Sequence, residues 1–377
     1  METIDVVVVG GGVTGLASAA AIARAGHEVC VLERHPRPGM DTSTRNSGVI
    51  HAGLHYPAGS LKAALCVEGA RELYAFCERR RVPHARCGKL VVALDDAEVA
   101  GLEALRARGQ ANGVEGLEII DAEGIRRREP HAAGIAGLVS PNTGVVEPEA
   151  LVHTLARVLG EAGGYFLPGT TLVGADVTSG GMLLQTGRES ILARAVVNAA
   201  GLFADHVSAI LGGESFTIYP CRGEYAELAP SRTHLVTALV YPLPNPSGHG
   251  LGVHLTRTTR GNVLIGPTVH HQDSRYDYES GRMALGAFLE PARRLLPALA
   301  PGDLRLGSSG IRANLNPPEE SFADFLIRRD RVNPRVVHAA GINSPGLTSC
   351  LAIGRMVASL VSVSLQADQN ARNAGSR

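Results

Sequence analysis

The chain has 377 residues, 45% of them hydrophobic, which is enough apolar material for one large domain or two closely packed ones. Its 36 basic residues balance 36 acidic residues, so no net positive field attracts nucleic acid and we expect no such partner. Six cysteines without C-x-x-C spacing predict reduced thiols of a cytoplasmic protein, and we expect no metal site.

The first predicted element is a strand that leads into a glycine turn and a helix. Residues 4–9, IDVVVV, form the β-branched run typical of a strand covered on both faces. The turn Gly10–Gly15 follows, then a helical stretch that ends at Gly26, and a second strand that ends at Glu33. This order predicts the first half of a parallel, Rossmann-like domain.

The glycines of this turn predict a dinucleotide site. Gly10 permits the tight turn, Gly12 lets the backbone approach a pyrophosphate, and Gly15 lets the helix pack close to the strand. The helix start offers free N–H groups to phosphates, and the acidic end of the second strand suits ribose hydroxyls. We therefore predict binding of the ADP part of FAD or NAD by Gly10, Gly12, Val13, Thr14, Gly15, Glu33 and Arg34.

The remaining elements predict a mixed α/β fold of two interleaved domains. Residues 165–201 predict three short strands, and the strand-rich stretch 215–313 predicts an antiparallel sheet. We expect the dinucleotide domain to comprise residues 1–85, 145–210 and 335–377. A second, substrate-binding domain then comprises residues 86–144 and 211–334. No apolar run reaches the roughly 20 residues that a membrane span needs, so at most peripheral contact with the inner membrane surface is expected.

Several motifs together resemble a known family. The glycine turn, "NAAGLFAD" at 198–205 and "GINSPGLTSCLAIG" at 341–354 are similar to the D-amino-acid-oxidase-type FAD-dependent oxidoreductases. Within them, "TSTRNSGVIHAGLHYPAGSLKAALC" at 42–66, "LGVHLT" at 251–256 and "GIRANL" at 310–315 resemble the L-2-hydroxyglutarate dehydrogenase/oxidase group. The likeness runs along nearly the whole chain, and it departs from the group's pattern at His55, where a tyrosine is more usual.

The resemblance implies FAD contacts that are spread along the chain, and because no cysteine occupies an obvious flavin-linking motif, we expect the FAD to be non-covalent. The polar segment near residue 45 would follow the cofactor from its pyrophosphate towards the isoalloxazine ring; the alternative is an ordinary turn cluster that satisfies its own backbone. Leu172 would contact the adenine through its backbone. The residues implied for the rest of the cofactor are Thr44, Arg45, Asn46, Ser47, Gly48, Ala200, Gly201, Gly310, Gly346, Leu347 and Thr348.

The resemblance also implies oxidation of L-2-hydroxyglutarate, a hydroxy-dicarboxylate, to 2-oxoglutarate by hydride transfer from C2 to flavin N5. The hydroxyl proton needs a base, for which His51 and His254 are both candidates. Arg312 would clamp a substrate carboxylate through its planar guanidinium. Tyr56 and Lys62 are candidates for the distal carboxylate or the pocket wall.

Two other functions stay open from the sequence. One is an FAD-dependent amine or amino-acid oxidase of the same fold, and the other is a non-catalytic dinucleotide-binding scaffold. The electron acceptor is equally open, with oxygen, a quinone or a carrier protein as candidates. A quinone would require contact with a membrane surface.

Overall fold

The computed structural model describes residues 3–244 and 251–375 and shows a mixed α/β protein. The mixed α/β class with a Rossmann-like first half is therefore confirmed. The strands are β1 Thr3–Val9, β2 Val29–Glu33, β3 Val49–Ile50, β4 His84–Ala85, β5 Lys89–Ala93, β6 Glu118–Asp121, β7 Ala136–Ser140, β8 Gly144–Val146, β9 Tyr165–Pro168, β10 Leu172–Thr178, β11 Gly181–Thr186, β12 Ser190–Asn198, β13 Tyr219–Leu228, β14 Leu239–Pro242, β15 His254–Arg257, β16 Val263–Gly266, β17 His270–His271, β18 Leu304–Asn314, β19 Leu326–Arg329 and β20 Val336–Ala340.

The helices lie between these strands and at the end of the chain. Three further short 3₁₀ turns occupy Gly201–Phe203, Pro230–Leu235 and Pro301–Asp303. The α-helices are α1 Val13–Arg24, α2 Leu61–Arg80, α3 Asp96–Ala111, α4 Ala122–Arg128, α5 Pro148–Glu161, α6 Ala204–Ile210, α7 Gly286–Leu295 and α8 Gly346–Gly375.

The first sheet is built around the parallel strands β1, β2, β9 and β12. β1 lies between β2 and β12, and β9 extends the sheet beyond β2. β11 and β20 both pair with β12, β11 with its first half and β20 with its second. The prediction of three strands over 165–201 was wrong, because β9 makes a fourth strand there. β19 also joins this sheet, although it lies before residue 335, where the last part of the dinucleotide domain was expected to begin.

The second sheet is largely antiparallel and joins two separate stretches of the chain. Its nine strands include β5, β6 and β7 from the first stretch and β13 to β18 from the second. The two stretches meet where β14 pairs with β5 in parallel, with Leu239 opposite Lys89. The antiparallel sheet predicted over 215–313 is thus present, with the long pair β13 and β18 at one side.

The last helix corrects one expectation from the sequence. Its part Gly346–Gln366 has 21 residues and a mean hydropathy of 1.6, so by length and composition it could cross a bilayer. The expectation that no run reaches this length was therefore wrong. The helix is packed in the fold, however, with Ile353, Val357 and Val361 fully buried among the apolar residues of α1, α2 and the first sheet. Its apolar composition is explained by that core.

Candidate active site

The glycine turn forms a phosphate cradle at the carboxyl end of β1. Gly10 has a φ of +114°, a backbone conformation that glycine adopts without strain. A Cβ on Gly15 would overlap the carbonyl oxygen of Gly10, so only glycine lets α1 start this close to the strand. Gly12 precedes α1 and gives it no side-chain cap, and the first turn of α1 contains no acidic residue. The N–H of Val13 donates to Ser43 Oγ at 3.0 Å, and the positive end of the helix dipole favours an anion at the next N–H groups.

Glu33 lies at the end of β2, beside the cradle. It is only 7% exposed, and its two carboxylate oxygens accept hydrogen bonds of 2.8 Å from the backbone N–H groups of Gly11 and His35. Arg34 points away from it, pairing with Asp41 at 2.7 Å. The carboxylate is thus fixed by backbone donors, and this leaves it poised to accept from ribose hydroxyls.

The cradle opens into a cavity of about 860 Å³ that also contains the predicted catalytic residues. Most residues of the polar segment 39–47 line this cavity as well. A Cβ on Gly310 would overlap the carbonyl oxygen of Arg45, so the segment rests directly against β18. A Cβ on Gly12 would lie 2.8 Å from Ser43 Oγ, at the point where a pyrophosphate needs room. An extended dinucleotide with a polar tail therefore fits these residues.

Most predicted site residues line this cavity. They are Gly10, Gly12, Val13, Thr14, Glu33, Arg45, Asn46, Ser47, Ala200, Gly201, Gly310, Gly346 and Leu347 on the cofactor side, and His51, Tyr56, Lys62, His254 and Arg312 on the substrate side. The structure brings both predicted sets together in one space.

Six predicted residues lie behind the lining and support it. Arg34 stacks on Phe203 at 3.9 Å, and the Thr44 hydroxyl donates to the carbonyl of Gly39 at 2.7 Å. Thr348 is fully buried, and its hydroxyl accepts from the backbone N–H of His51 at 3.0 Å. The other three are Gly15, Gly48, whose φ is +68°, and Leu172, which is buried in the apolar core beside β1 and β2.

His254 begins β15 and is the better placed of the two predicted bases. Its Nδ1 lies 2.8 Å from the carbonyl oxygen of Gly252, and because a carbonyl only accepts, Nδ1 carries the proton. The ring stacks on Tyr241 with centroids 3.7 Å apart. Burial lowers the pKa of His254 to about 3, and the nearby cations Lys89 and Arg312 act in the same direction. Its Nε2 is therefore an unprotonated acceptor at neutral pH.

His51 is held by a chain of hydroxyl groups. Its Nε2 lies 3.2 Å from Ser344 Oγ, which in turn lies 3.1 Å from the hydroxyl of Tyr56. Burial and the charge of Lys89 lower the pKa of His51 well below its usual value. Burial raises the pKa of Tyr56, so this side chain stays a neutral phenol. This chain orients His51 and places it beside His254 as a second neutral imidazole.

Arg312 projects from β18 into the same cavity. Its guanidinium donates to the carbonyl of Thr268 at 3.3 Å from both Nη atoms. A Cβ on Gly223 would lie 2.6 Å from that guanidinium, so the glycine on β13 makes room for it. None of the carboxylates in residues 3–244 and 251–375 forms an ion pair with the Arg312 guanidinium. A half-buried guanidinium without a carboxylate partner among the described residues suits a substrate carboxylate.

Lys62 lies in the first turn of α2 and is 5% exposed. Its Nζ is 5.3 Å from the ring centroids of both Phe322 and Phe325. Burial lowers the pKa of Lys62 to about 8, and the charge of Asp324 opposes that shift. Because this carboxylate lies nearby, the ammonium of Lys62 is partly balanced within the protein itself.

Sequence reasoning missed three side chains at the substrate end. His55 and Arg108 line the cavity, and Lys89 lies directly behind His55 with its Nζ 3.1 Å from His55 Nε2. Only His55 gave a signal, as the departure from the pattern of the resembled group. Lys89 starts the apolar run of β5 and Arg108 belongs to a polar helix, so both have the sequence pattern of exposed residues.

One cluster of metal-type ligands lies elsewhere among the described residues. It comprises Glu214, Asp330 and His338, whose ligand atoms lie within 4.8 Å of one another. Their hydrogen bonds are used internally: Asp330 accepts from His338 Nε2 at 2.6 Å and from the backbone of Asn333 at 2.6 Å. The carboxylate of Glu214 pairs with Arg328. This network fixes β19 and β20 to α6 and its following turn.

Comparisons with known proteins show the family of the chain. Residues 5–360 match the family described as DAO, FAD dependent oxidoreductase. The chain is 32% identical to L-2-hydroxyglutarate dehydrogenase of Escherichia coli strain K12 over 97% of its own length and 95% of that protein. It is 31% identical to the mitochondrial L-2-hydroxyglutarate dehydrogenase of Homo sapiens, over 95% of this chain and 88% of that one.

Solved structures show the same fold. L-alpha-glycerophosphate oxidase from Mycoplasma pneumoniae, solved with FAD bound, has a TM-score of 0.87 and 26% identity over 96% of this chain and 95% of that one. Glycine oxidase from Geobacillus kaustophilus has a TM-score of 0.82 at 23% identity, over 96% of this chain and 95% of that one.

Proposed function

Because this chain belongs to the DAO family of FAD-dependent oxidoreductases, we propose that it oxidises L-2-hydroxyglutarate to 2-oxoglutarate. The family membership makes it an FAD-dependent enzyme, and this confirms the cofactor expected from the glycine turn. The substrate comes from relatives that carry this activity in their names and match nearly the whole chain.

One observation carries the proposal: a neutral imidazole and an unpaired guanidinium share the cavity that begins at the phosphate cradle. His254 offers an unprotonated Nε2, and Arg312 offers donors that no described carboxylate neutralises. A 2-hydroxy acid needs both features, because its hydroxyl must lose a proton while its carboxylate is held. We propose Glu33 and the cradle as the ADP site and the 39–47 segment as the path towards the flavin ring.

Different residues of the protein bind the substrate carboxylates and remove the hydroxyl proton. FAD, when bound, supplies the acceptor for the two electrons that leave the substrate carbon. Arg312 binds the carboxylate next to the hydroxyl and orients it, while Nε2 of His254 takes the hydroxyl proton. His51 is held by Ser344 and forms a hydrogen bond with the same substrate oxygen, so it shares the removal of the hydroxyl proton with His254. The second carboxylate lies towards the cations Lys62 and Arg108.

The test is anaerobic mixing of the purified holoenzyme with L- and D-2-hydroxyglutarate while the flavin absorbance is followed. We expect rapid bleaching by the L isomer and little by the D isomer, since a site with fixed base and guanidinium selects one hand. Glycine, sarcosine, D-alanine and L-glycerol 3-phosphate form the comparison panel. Bleaching by one of these but not by L-2-hydroxyglutarate would replace the proposed substrate. Purified protein without a yellow chromophore would instead favour a scaffold.

The electron acceptor is identified with the reduced enzyme. Fast reoxidation by dissolved oxygen would make the protein an oxidase, whereas reoxidation by a soluble quinone alone would make it a dehydrogenase. Binding to phospholipid vesicles, measured by co-sedimentation, tests the peripheral membrane contact that a quinone would require.

A further inference from the structure

Lys89 is a buried lysine of the second sheet that the proposed chemistry leaves unused. It starts β5, where its backbone is paired with Leu239 of β14 on one side and Ser140 of β7 on the other. Its side chain is 2% exposed, so it cannot reach bulk solvent. The two neighbouring strands therefore fix the backbone position from which the Lys89 side chain extends.

The contacts of Lys89 are an imidazole and an aromatic face. Its Nζ lies 3.1 Å from Nε2 of His55 and 4.5 Å from the ring centroid of Tyr241. Neither group carries a negative charge, and no carboxylate pairs with Lys89 anywhere in the described parts of the chain. A buried cation without an anion is costly, so this one is compensated only when an anion enters from outside the fold.

The groups that face Lys89 come from every element around it. They are His51 and His55 of the loop before α2, Cys66 of α2, Tyr241 of β14 and His254 of β15. The charge of Lys89 contributes to lowering the pKa of all three imidazoles. Burial raises the pKa of the Cys66 thiol, so it stays neutral. Lys89 is thus a positive charge surrounded by neutral side chains.

The ammonium also determines how His55 is protonated. A charged lysine has only donors, so Nε2 of His55 must accept and its proton must sit on Nδ1. His55 lines the cavity, and Arg108 lies near enough to lower its pKa as well. This end of the cavity therefore has three cationic groups, which are Lys89, Arg108 and Arg312. The described residues supply no anionic partner for any of them.

We propose that Lys89 is a positioning and specificity-determining residue that selects a dianionic substrate by its buried charge and by fixing the His55 tautomer. The inference rests on the proposed function and adds to it the residue that separates a dicarboxylate from a monocarboxylate. Lys89 acts through His55 and through its field, without touching the substrate.

The experiment measures binding of glutarate and butyrate to the oxidised holoenzyme through the perturbation of the flavin spectrum. These probes differ in one carboxylate and lack the hydroxyl, so the readout does not depend on turnover. We expect the wild type to prefer glutarate by at least about 10-fold and Lys89→Met to lose most of this preference, while Lys89→Arg retains part of it. Arg305→Met is the control, because it removes an exposed positive charge of β18 that lies outside the cavity lining. This control is expected to keep the preference.

The pH dependence gives a second, independent measurement. Burial lowers the pKa of Lys89 to about 8, so the ammonium and the preference for glutarate are present below that pH and are lost above it. Since the pKa of Lys62 is also about 8, the decline is compared with that of Lys89→Arg, whose guanidinium stays charged above this pH. We expect the preference that Lys89→Arg retains not to decline.

Two results would overturn the inference. One is an unchanged preference in a Lys89→Met protein with normal FAD content, and the other is a decline above about pH 8 that persists in Lys89→Arg. If Lys89→Met does not fold, the Lys89→Arg pH profile alone decides. The proposed function fails separately, when L-2-hydroxyglutarate does not reduce the wild-type flavin.

Discussion

The two ends of the cavity are built by different means. The cradle end uses backbone N–H groups and glycines from one continuous stretch, Gly10–Gly15, with the carboxylate of Glu33 close by. The substrate end uses side chains from several distant elements, among them His51 before α2, His254 on β15 and Arg312 on β18. One end depends on backbone shape and the other on side-chain charge.

This difference separates the effects of mutations. Backbone donors at the cradle do not titrate, so we expect cofactor binding there to respond to added bulk more than to pH. At the other end the cofactor is already held, and changes of charge or basicity are expected to alter reduction of the flavin instead. The two responses should therefore be independent of each other.

The largest effect is expected for His254→Asn. Removing the neutral Nε2 acceptor eliminates the base, so the rate of flavin reduction by L-2-hydroxyglutarate should fall by about 10²–10⁴-fold. FAD content should stay normal, because the side chain lies away from the cradle. Stopped-flow absorbance measures the rate, and His270→Asn, at an exposed position of β17, is the control. A fall of less than about 10-fold would move the role of base to His51.

Arg312→Met should have the next largest effect. Losing a guanidinium that binds a carboxylate costs about 2–5 kcal/mol, which corresponds to a fall in kcat/KM of about 30-fold or more. Arg305→Met is a matched control on the same strand, because Arg305 is exposed. Steady-state kinetics on both variants check the expectation. Equal kcat/KM in the two would remove Arg312 from the substrate site.

Gly15→Ala tests the cradle end. The new Cβ would overlap the carbonyl of Gly10 and push α1 away from β1, so we expect a purified protein with much less FAD per chain. Gly160→Ala adds the same methyl group to α5 where no atom lies within 4 Å, and it should be neutral or stabilising by up to about 1 kcal/mol. The absorbance ratio of flavin to protein measures occupancy. Normal occupancy in Gly15→Ala would show that close packing here is not needed.

The same contrast explains what could be predicted from the sequence. The cradle was predictable because strand, glycine turn, helix and Glu33 follow one another in the chain, so local rules place them. Lys89 and Arg108 were not, because their role depends on which strands pair: Lys89 reaches His55 only since β5 joins β14 in the second sheet. β9 was missed for a related reason, as its four residues become a strand by pairing with β2.

The smallest expected effect is a loss of stability in mild acid that comes from the substrate end alone. The pKa values of His51, His55 and His254 are all lowered in the folded protein. Between the folded and unfolded pKa values the unfolded chain binds more protons, so the free energy of unfolding decreases as pH falls below about 6.5. Each imidazole contributes at most about 1.4 kcal/mol per pH unit.

Urea unfolding between about pH 7 and pH 5 measures this slope, with His55→Gln compared with the wild type. The variant lacks one titrating group, so its stability should fall less steeply, by at most about 1.4 kcal/mol per pH unit. An identical slope in both proteins would mean that the pKa of His55 is the same in the folded and the unfolded protein. That outcome would contradict the neutral state of the imidazoles on which the substrate end depends. It would not affect the conclusions about the cradle end.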